Sequence, residues 1–267
     1  GHYLNPLDGI IIKDIGFKSI SSRIKIIEQS DICKIIKPFK KKNNIHKYKK
    51  GRPLVFAGSD KYPGAGILSA KSAKFTGSGY VELYLASENS NLINQIDINL
   101  TEIIVSDNNI LKIGRDLHSD IILFGPGYVD DFNSFTFLQN LKFNKINKDN
   151  DVSFIFDGFQ LFENYLDHLY GLEDFDKNYY FDEYPEYSIL TPHAGELAKI
   201  FNQFSLSYDF LKFLQSKINN RIVILKSFNT FIITKYKIYI MDKGPSLLAT
   251  AGTGDVLSGI LVSLLSQ

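Results

Sequence analysis

The chain has 267 residues, with 30 Lys and Arg against 29 Asp and Glu, a formal net charge of +1 and 44% hydrophobic content. That length suits one large α/β domain, the apolar content excludes global disorder, and the balanced charge excludes a global nucleic-acid or membrane footprint. The lone Cys33 excludes an internal disulfide framework and fits a reducing, cytoplasmic compartment; no stretch is long and apolar enough to span a bilayer, and no signal peptide is evident.

The chain opens on Gly1-His2 rather than Met, which reads as an added start or an internal cut. Residues 3–20, with Gly9–Gly16, read as a short strand ending in a turn, and residues 21–36 fit either a strand or a helix. Residues 37–50 are basic. They form either a solvated segment or one whose lysines, or His46 and Lys47, face the phosphates of a ligand. From Arg52 the pattern sharpens. Leu54–Gly58 is an apolar run that predicts a buried strand, and Ser59–Pro63 a loop. Gly64–Thr76 predicts a helix rich in small residues (Ala65, Ala70, Ala73), stopped by Gly77-Ser-Gly79, with a strand over Tyr80–Leu85. This is a βαβ unit, and α/β folds place ligands at the carboxyl ends of such strands. The glycine spacing is not the Gly-x-Gly-x-x-Gly dinucleotide fingerprint, so no classical NAD site is assigned.

Ile103–Val105 predicts a strand and Ile110–Leu117 a short helix. Asp120–Phe124 predicts a strand ending in Gly125-Pro-Gly127, which either brings bare backbone to a ligand or simply turns. Phe132–Lys142 looks helical, and Val152–Phe156 is a strand closed by Asp157-Gly158. Asp157 either binds a ribose or substrate hydroxyl or starts the turn. Residues 171–187 are acidic and aromatic and read as a long surface loop, functional or packed against another subunit.

Ser188–Glu196 runs from a strand into a helix start, with Pro192 breaking the strand. His193 and Glu196 either contact substrate and order a hydrated Mg²⁺ or form a capped turn. A helix over Tyr208–Asn219 and a strand over Arg221–Lys226 follow. Lys226 is either a nucleotide-phosphate contact or a surface lysine ending a strand. Ser227–Thr230 is a tight connection into a hairpin-like pair, Phe231–Thr234 and Lys237–Met241. Small residues Ala249–Gly254 then precede Val256, Leu257, Ile260, Leu261, Leu264 and Leu265 at helical spacing. Free N–H groups at such a glycine-rich helix start suit anionic oxygen. Asp255 there repels phosphate. It is placed either to take a proton from a hydroxyl attacking phosphorus or only to cap the helix. Strands alternating with helices predict a three-layer α/β/α fold with a mostly parallel sheet.

Several motifs, in order, resemble the ADP-dependent NAD(P)H-hydrate dehydratases, a branch of the ribokinase-like fold. They are His46-Lys47 with Gly51-Arg52, Val55-Phe-Ala-Gly-Ser59, Tyr62-Pro-Gly-Ala65 and Gly77-Ser-Gly79. Gly125-Pro-Gly127, Leu190-Thr-Pro-His193-Ala-Gly-Glu196, Leu225-Lys226 with Thr230, and Ala249-Thr-Ala-Gly-Thr-Gly-Asp255 complete the set. The resemblance implies that Ala65, Gly127, His193 and Asp255 line the site for the hydrated nicotinamide. Lys226, Ser227, Phe228, Asn229, Thr230 and Gly254 would hold the adenine nucleotide. Asp255 would be the base, with the amides of Gly252, Thr253 and Gly254 as the anion hole, and Glu196 would meet Mg²⁺ through water. It implies (6S)-NADHX or (6S)-NADPHX as substrate, ADP (alternatively ATP) as co-substrate, K⁺ as a further candidate ion, and a homo-oligomer, commonly a tetramer. Residues 1–20 would be the tail of a fused epimerase domain and 21–267 the dehydratase domain, cut short at its C-terminus.

The chain departs from the family pattern at Val129 (a glycine in the family), at Ser227 (a glycine), at Tyr48 (a glycine), and at Phe159, where a second carboxylate is absent. Two other readings stand beside this one: a ribokinase-like kinase acting on a vitamin precursor or small hydroxylated metabolite, and a non-catalytic nucleotide-binding module.

Overall fold

Alternation along each strand decides which face of the sheet its side chains serve. Leu54 and Phe56 point to one core and Val55 and Ala57 to the other; Ile122 and Phe124 oppose Ile121 and Leu123; Phe154 and Phe156 oppose Ile155. Both faces are therefore apolar, and the strands read as unbroken hydrophobic runs, as expected of a parallel sheet covered on both sides. The computed structural model describes residues 24–36, 50–87, 89–106, 121–128, 153–158, 176–202, 206–242, 244 and 246–267. The expectations for residues 3–20, His46, Lys47, Tyr48, 110–117, Val129, 132–142 and Phe159 lie outside them.

The strands are β1 (Ile24–Ile26), β2 (Leu54–Ser59), β3 (Glu82–Ala86), β4 (Ile104–Ser106), β5 (Ile121–Phe124), β6 (Ser153–Phe156), β7 (Ile189–Leu190), β8 (Ile222–Leu225), β9 (Thr230–Ile233) and β10 (Ile238–Met241). Among the described residues they form one sheet in the order β1-β10-β9-β8-β7-β6-β5-β2-β3-β4. Only β9 runs against its neighbours, pairing antiparallel with β8 and β10. The helices are α1 (Gln29–Ile36), α2 (Pro63–Thr76), α3 (Ser90–Asn99), α4 (Ala194–Phe201), α5 (Tyr208–Lys217) and α6 (Thr253–Leu265). Helices α2, α3 and α6 cover one face through Ala70, Ala73, Ile96 and Val262. Helices α4 and α5 cover the other through Leu197, Ile200, Phe210 and Leu214. This is the expected three-layer architecture.

Helices α2 and α6 meet through small residues. Ser69, Ala70, Ala73, Ser258, Gly259 and Ser263 are buried, and a Cβ on Gly259 would collide with the Ser69 carbonyl. Ser78 Oγ donates to Ser263 Oγ at 2.8 Å. This close approach sets the start of α6 beside Leu68 and Ser69 in the second turn of α2.

Three expectations are refined. Of the stretch 21–36, the described residues 24–36 hold both alternatives in turn, with β1 followed by α1. Helix α3 was not anticipated, because its surroundings are rich in Asn and Ser. Its signals are the Asn89 side chain, which accepts from the Asn91 and Leu92 amides, and the spacing of Leu92, Ile93, Ile96 and Leu100. The surface loop expected over 171–187 is corrected. From 176 onward it contains a 3-10 helix, Lys177–Glu183, whose Tyr180 and Phe181, with Tyr184 beyond it, are at most 2% exposed. The acids of this stretch are largely outward while its rings complete the core. Arg221 Nε donates to the Tyr184 carbonyl at 3.0 Å and its Nη1 to Asp182 Oδ1 at 3.1 Å, pinning the segment down.

Candidate active site

Four segments converge at the carboxyl edge of the sheet: the ends of β6, β7 and β8, and the start of α6. Asp157 follows β6 and is 8% exposed. A buried carboxylate needs donors, and it has three. Lys226 Nζ, after β8, donates to Oδ1 at 2.7 Å. Thr191 Oγ1, after β7, donates to Oδ1 at 2.9 Å, and Ser258 Oγ of α6 lies 2.9 Å from Oδ2. Gly254 sits against this group: a Cβ there would lie 3.3 Å from Lys226 Nζ.

Asp255 is half-buried in the first turn of α6. Its carboxylate has no hydrogen-bond partner among the described residues; only its carbonyl is held, by Ser69 Oγ at 3.2 Å. Burial raises the Asp255 pKa above the usual carboxylate range, the Asp157 charge raises it further, and Lys226 opposes both. The helix is capped by Gly252 in the left-handed conformation (φ 89°), with no side-chain cap. Val256 N–H reaches the Gly252 carbonyl at 3.0 Å and Thr253 N–H the Thr250 carbonyl at 3.4 Å. Among the described residues the amides of Gly254 and Asp255 meet no acceptor, which leaves donors for an anion. Thr253 Oγ1 is held by the carbonyls of Leu248 and Thr250 at 3.0 and 2.8 Å, which fixes the loop before the helix.

His193 and Glu196 form a capping box on α4. Glu196 N–H donates to His193 Nδ1 at 3.1 Å, and His193 N–H donates to Glu196 Oε2 at 2.6 Å. The capping alternative is thus realised, and the imidazole stays exposed. Backbone bonds join this turn to Lys226: its N–H reaches the Pro192 carbonyl at 2.8 Å, and its carbonyl accepts from Ala194 at 3.0 Å.

At the neighbouring strand ends, Gly58 N–H donates to the Pro126 carbonyl at 2.7 Å and Ser59 Oγ to the Gly127 carbonyl at 2.9 Å. Gly127 has φ 62°, and a Cβ there would collide with the Ala65 methyl. The two residues expected to line the nicotinamide site, Ala65 and Gly127, are thus in contact. The turn Ser227–Thr230 is more open: Ser227 and Phe228 are exposed, Asn229 and Thr230 half-buried. Ser227 has no positive φ, so its backbone does not demand the glycine the family carries.

The structure therefore groups Lys226, Gly254 and Asp255 around Asp157, sets His193 beside Lys226 through the backbone, and pairs Ala65 with Gly127. Thr191 and Ser258 escape a reading of the sequence. Ser258 was legible only as one turn beyond Gly254, whose carbonyl it also approaches at 3.0 Å. Among the described residues no cluster of three or more His, Cys, Asp or Glu side chains could hold a metal ion by itself.

The family described as NAD(P)H-hydrate dehydratase (Carb_kinase) matches residues 53–267. The ADP-dependent (S)-NAD(P)H-hydrate dehydratase of Lactococcus lactis is 29% identical over 91% of this chain and 82% of its own length. The bifunctional NAD(P)H-hydrate repair enzyme of Dictyoglomus turgidum is 28% identical over 96% of the chain, which spans only 48% of that relative. Among solved structures, a ribokinase-like protein of Enterococcus faecalis superposes with TM-score 0.69 at 23% identity, over 94% of this chain and 83% of that one. The ADP/ATP-dependent NAD(P)H-hydrate dehydratase of Bacillus subtilis, co-crystallised with ATP/Mg²⁺, gives 0.63 at 23% identity, over 85% and 76%. By the match over residues 53–267, this ribokinase-like chain belongs to the NAD(P)H-hydrate dehydratase family.

Proposed function

We propose that this chain dehydrates (6S)-NADHX or (6S)-NADPHX at the expense of ADP, returning NADH or NADPH with AMP and phosphate. The observation that carries the reading is Asp255: a carboxylate with no hydrogen-bond partner among the described residues and a raised pKa, at a helix start whose Gly254 and Asp255 amides also lack acceptors. Hydroxide is a poor leaving group and phosphate a good one. Asp255 takes the proton of the C6 hydroxyl as its oxygen attacks the terminal phosphorus of ADP and AMP leaves. Of the expected Gly252–Gly254 anion hole, the Thr253 amide is turned to the Thr250 carbonyl, so the amides of Gly254 and Asp255 stabilise charge on the transferring group. The C6–O bond then breaks, pushed by the ring nitrogen, and phosphate departs.

Ala65, Gly127 and His193 line the nicotinamide side in this reading, and Lys226–Thr230 with Gly254 the nucleotide side. Mg²⁺ keeps several waters and commonly binds substrate phosphates with one or two carboxylates. Glu196 therefore fits a water-mediated contact. ADP is favoured over ATP by the names of the Lactococcus lactis and Staphylococcus aureus relatives. The length of the bifunctional relatives supports an epimerase domain ahead of residue 21, with 21–267 as the dehydratase domain. A homo-oligomer and a cytoplasmic location complete the proposal; no helix among the described residues is long and apolar enough to cross a membrane.

The test is to mix the protein with hydrated NADH, Mg²⁺ and either ADP or ATP, with and without K⁺, and follow reduced-nicotinamide absorbance. Recovery with ADP and not ATP is expected. No recovery with either nucleotide, from folded protein that still binds nucleotide, would overturn the reading.

A further inference from the structure

Asp157 is buried and central, and most of its acceptor capacity is used within the protein. Oδ1 receives Lys226 and Thr191, and Oδ2 receives Ser258. Three of the roughly four acceptor positions of the carboxylate are thus filled from within the fold, and the residue is 8% exposed, so most of its hydrogen bonding holds protein elements together. Its donors come from three different elements: the ends of β7 and β8, and α6. Lys226 belongs to the nucleotide side of the proposed site and α6 carries Asp255. We propose that Asp157 is a positioning residue of this reaction, fixing the Lys226 ammonium on one oxygen and, through Ser258, the first turn of α6 on the other. One group thus sets the distance between the cation that meets the nucleotide and the base that meets the substrate.

The glycine at 254 follows from this arrangement. A side chain there would press on Lys226 Nζ, and its Cβ would lie 3.9 Å from Asp157 Oδ2. The proposal rests on the function given above, and it adds a consequence for Asp255. Of the charged groups on elements packed near α6, Asp157 and Lys226 act on Asp255. Helix α2, whose charged residues are Lys71 and Lys74, meets the Asp255 backbone through the neutral Ser69.

The experiment compares wild type with Asp157→Asn, which keeps the shape and removes the charge. The Asp255 carboxyl is titrated by ¹³C NMR, and the pH profile of kcat/KM is recorded. The Asp255 titration and the acid limb are expected to move together to lower pH, because the repelling charge is gone and Lys226 loses its competitor. A fall in kcat of about 10- to 100-fold is expected from misplacement. Ser258→Ala keeps the charge, so it should lower kcat and leave the acid limb in place. A residue that merely supports the fold would lower activity without moving either titration, and an unmoved Asp255 signal overturns the proposal. If Asp157→Asn does not fold, Asp157→Asn/Lys226→Met is compared with Lys226→Met, which removes the buried pair together. The carboxyl titration needs no turnover. A wild-type protein that fails to dehydrate hydrated NADH would therefore sink the proposed function while leaving the placement of Asp157 to the NMR signal.

Discussion

Asp255 ties chemistry to stability. In its proposed role as base it would work only when ionised, so the acid limb of kcat/KM should lie above the ordinary carboxylate range. Asp255→Asn should lower kcat by roughly 10²- to 10⁴-fold while the Kd for ADP, read by calorimetry, changes little. Retained turnover would sink the mechanism. The same residue costs stability at neutral pH. Its folded pKa is raised, so the native state holds the proton more tightly than the unfolded chain. The stability this confers is present at low pH and lost as pH rises through the raised value. Asp255→Asn cannot ionise, so its Tm should exceed that of wild type at neutral pH, with the gap closing on acidification. A Tm that falls equally at both pH values would contradict the linkage. The placement of Asp255 at a glycine-rich helix start and the capping box were legible because each sits in a short motif. The partners of Asp157 were not, because Thr191, Lys226 and Ser258 are brought to it by topology from 34, 69 and 101 residues away.

The packing of α2 on α6 rests on what is absent at Gly259. Gly259→Ala would drive a methyl into the Ser69 carbonyl, at a cost of about 1–3 kcal/mol, seen as a lower urea midpoint. Because Ser69 Oγ also holds the Asp255 carbonyl, kcat should fall with it. The 3-10 helix beneath α4 and α5 gives a contrasting test. Phe181 is 1% exposed and packs on Phe201 with ring centroids 5.9 Å apart. Phe181→Ala should cost about 3–5 kcal/mol, measured by the same denaturation, with turnover per folded molecule preserved. Short apolar runs announced the strands, since burial on both faces leaves no polar residue to confuse the reading. The 176–187 stretch hid its role because acidic residues share it with the buried rings, and charge density suggested a solvated loop.

Nucleotide binding should register across the entire fold, since β6, β7, β8 and α6 all contribute to one site. ADP with Mg²⁺ at a hundred times its Kd should add about 2.7 kcal/mol to stability, visible as a rise in Tm. Lys226→Met should show a smaller rise at the same concentration. An equal rise would remove Lys226 from the nucleotide side. The parallel, doubly covered architecture was readable from alternating strands and helices, but the strand order was not. Nothing local in Ile24–Ile26 indicates that it pairs with Ile238–Ile240. That pairing has a bearing on the birth of the protein. More than 200 residues separate the two strands, and at roughly 5–20 residues per second a ribosome needs on the order of ten to forty seconds to make them. Throughout that interval β1 waits with an unpartnered edge, open to any other extended chain nearby. Helix α6, with Asp255, emerges later still. Anything that slows synthesis therefore lengthens the period in which β1 lacks its partner β10.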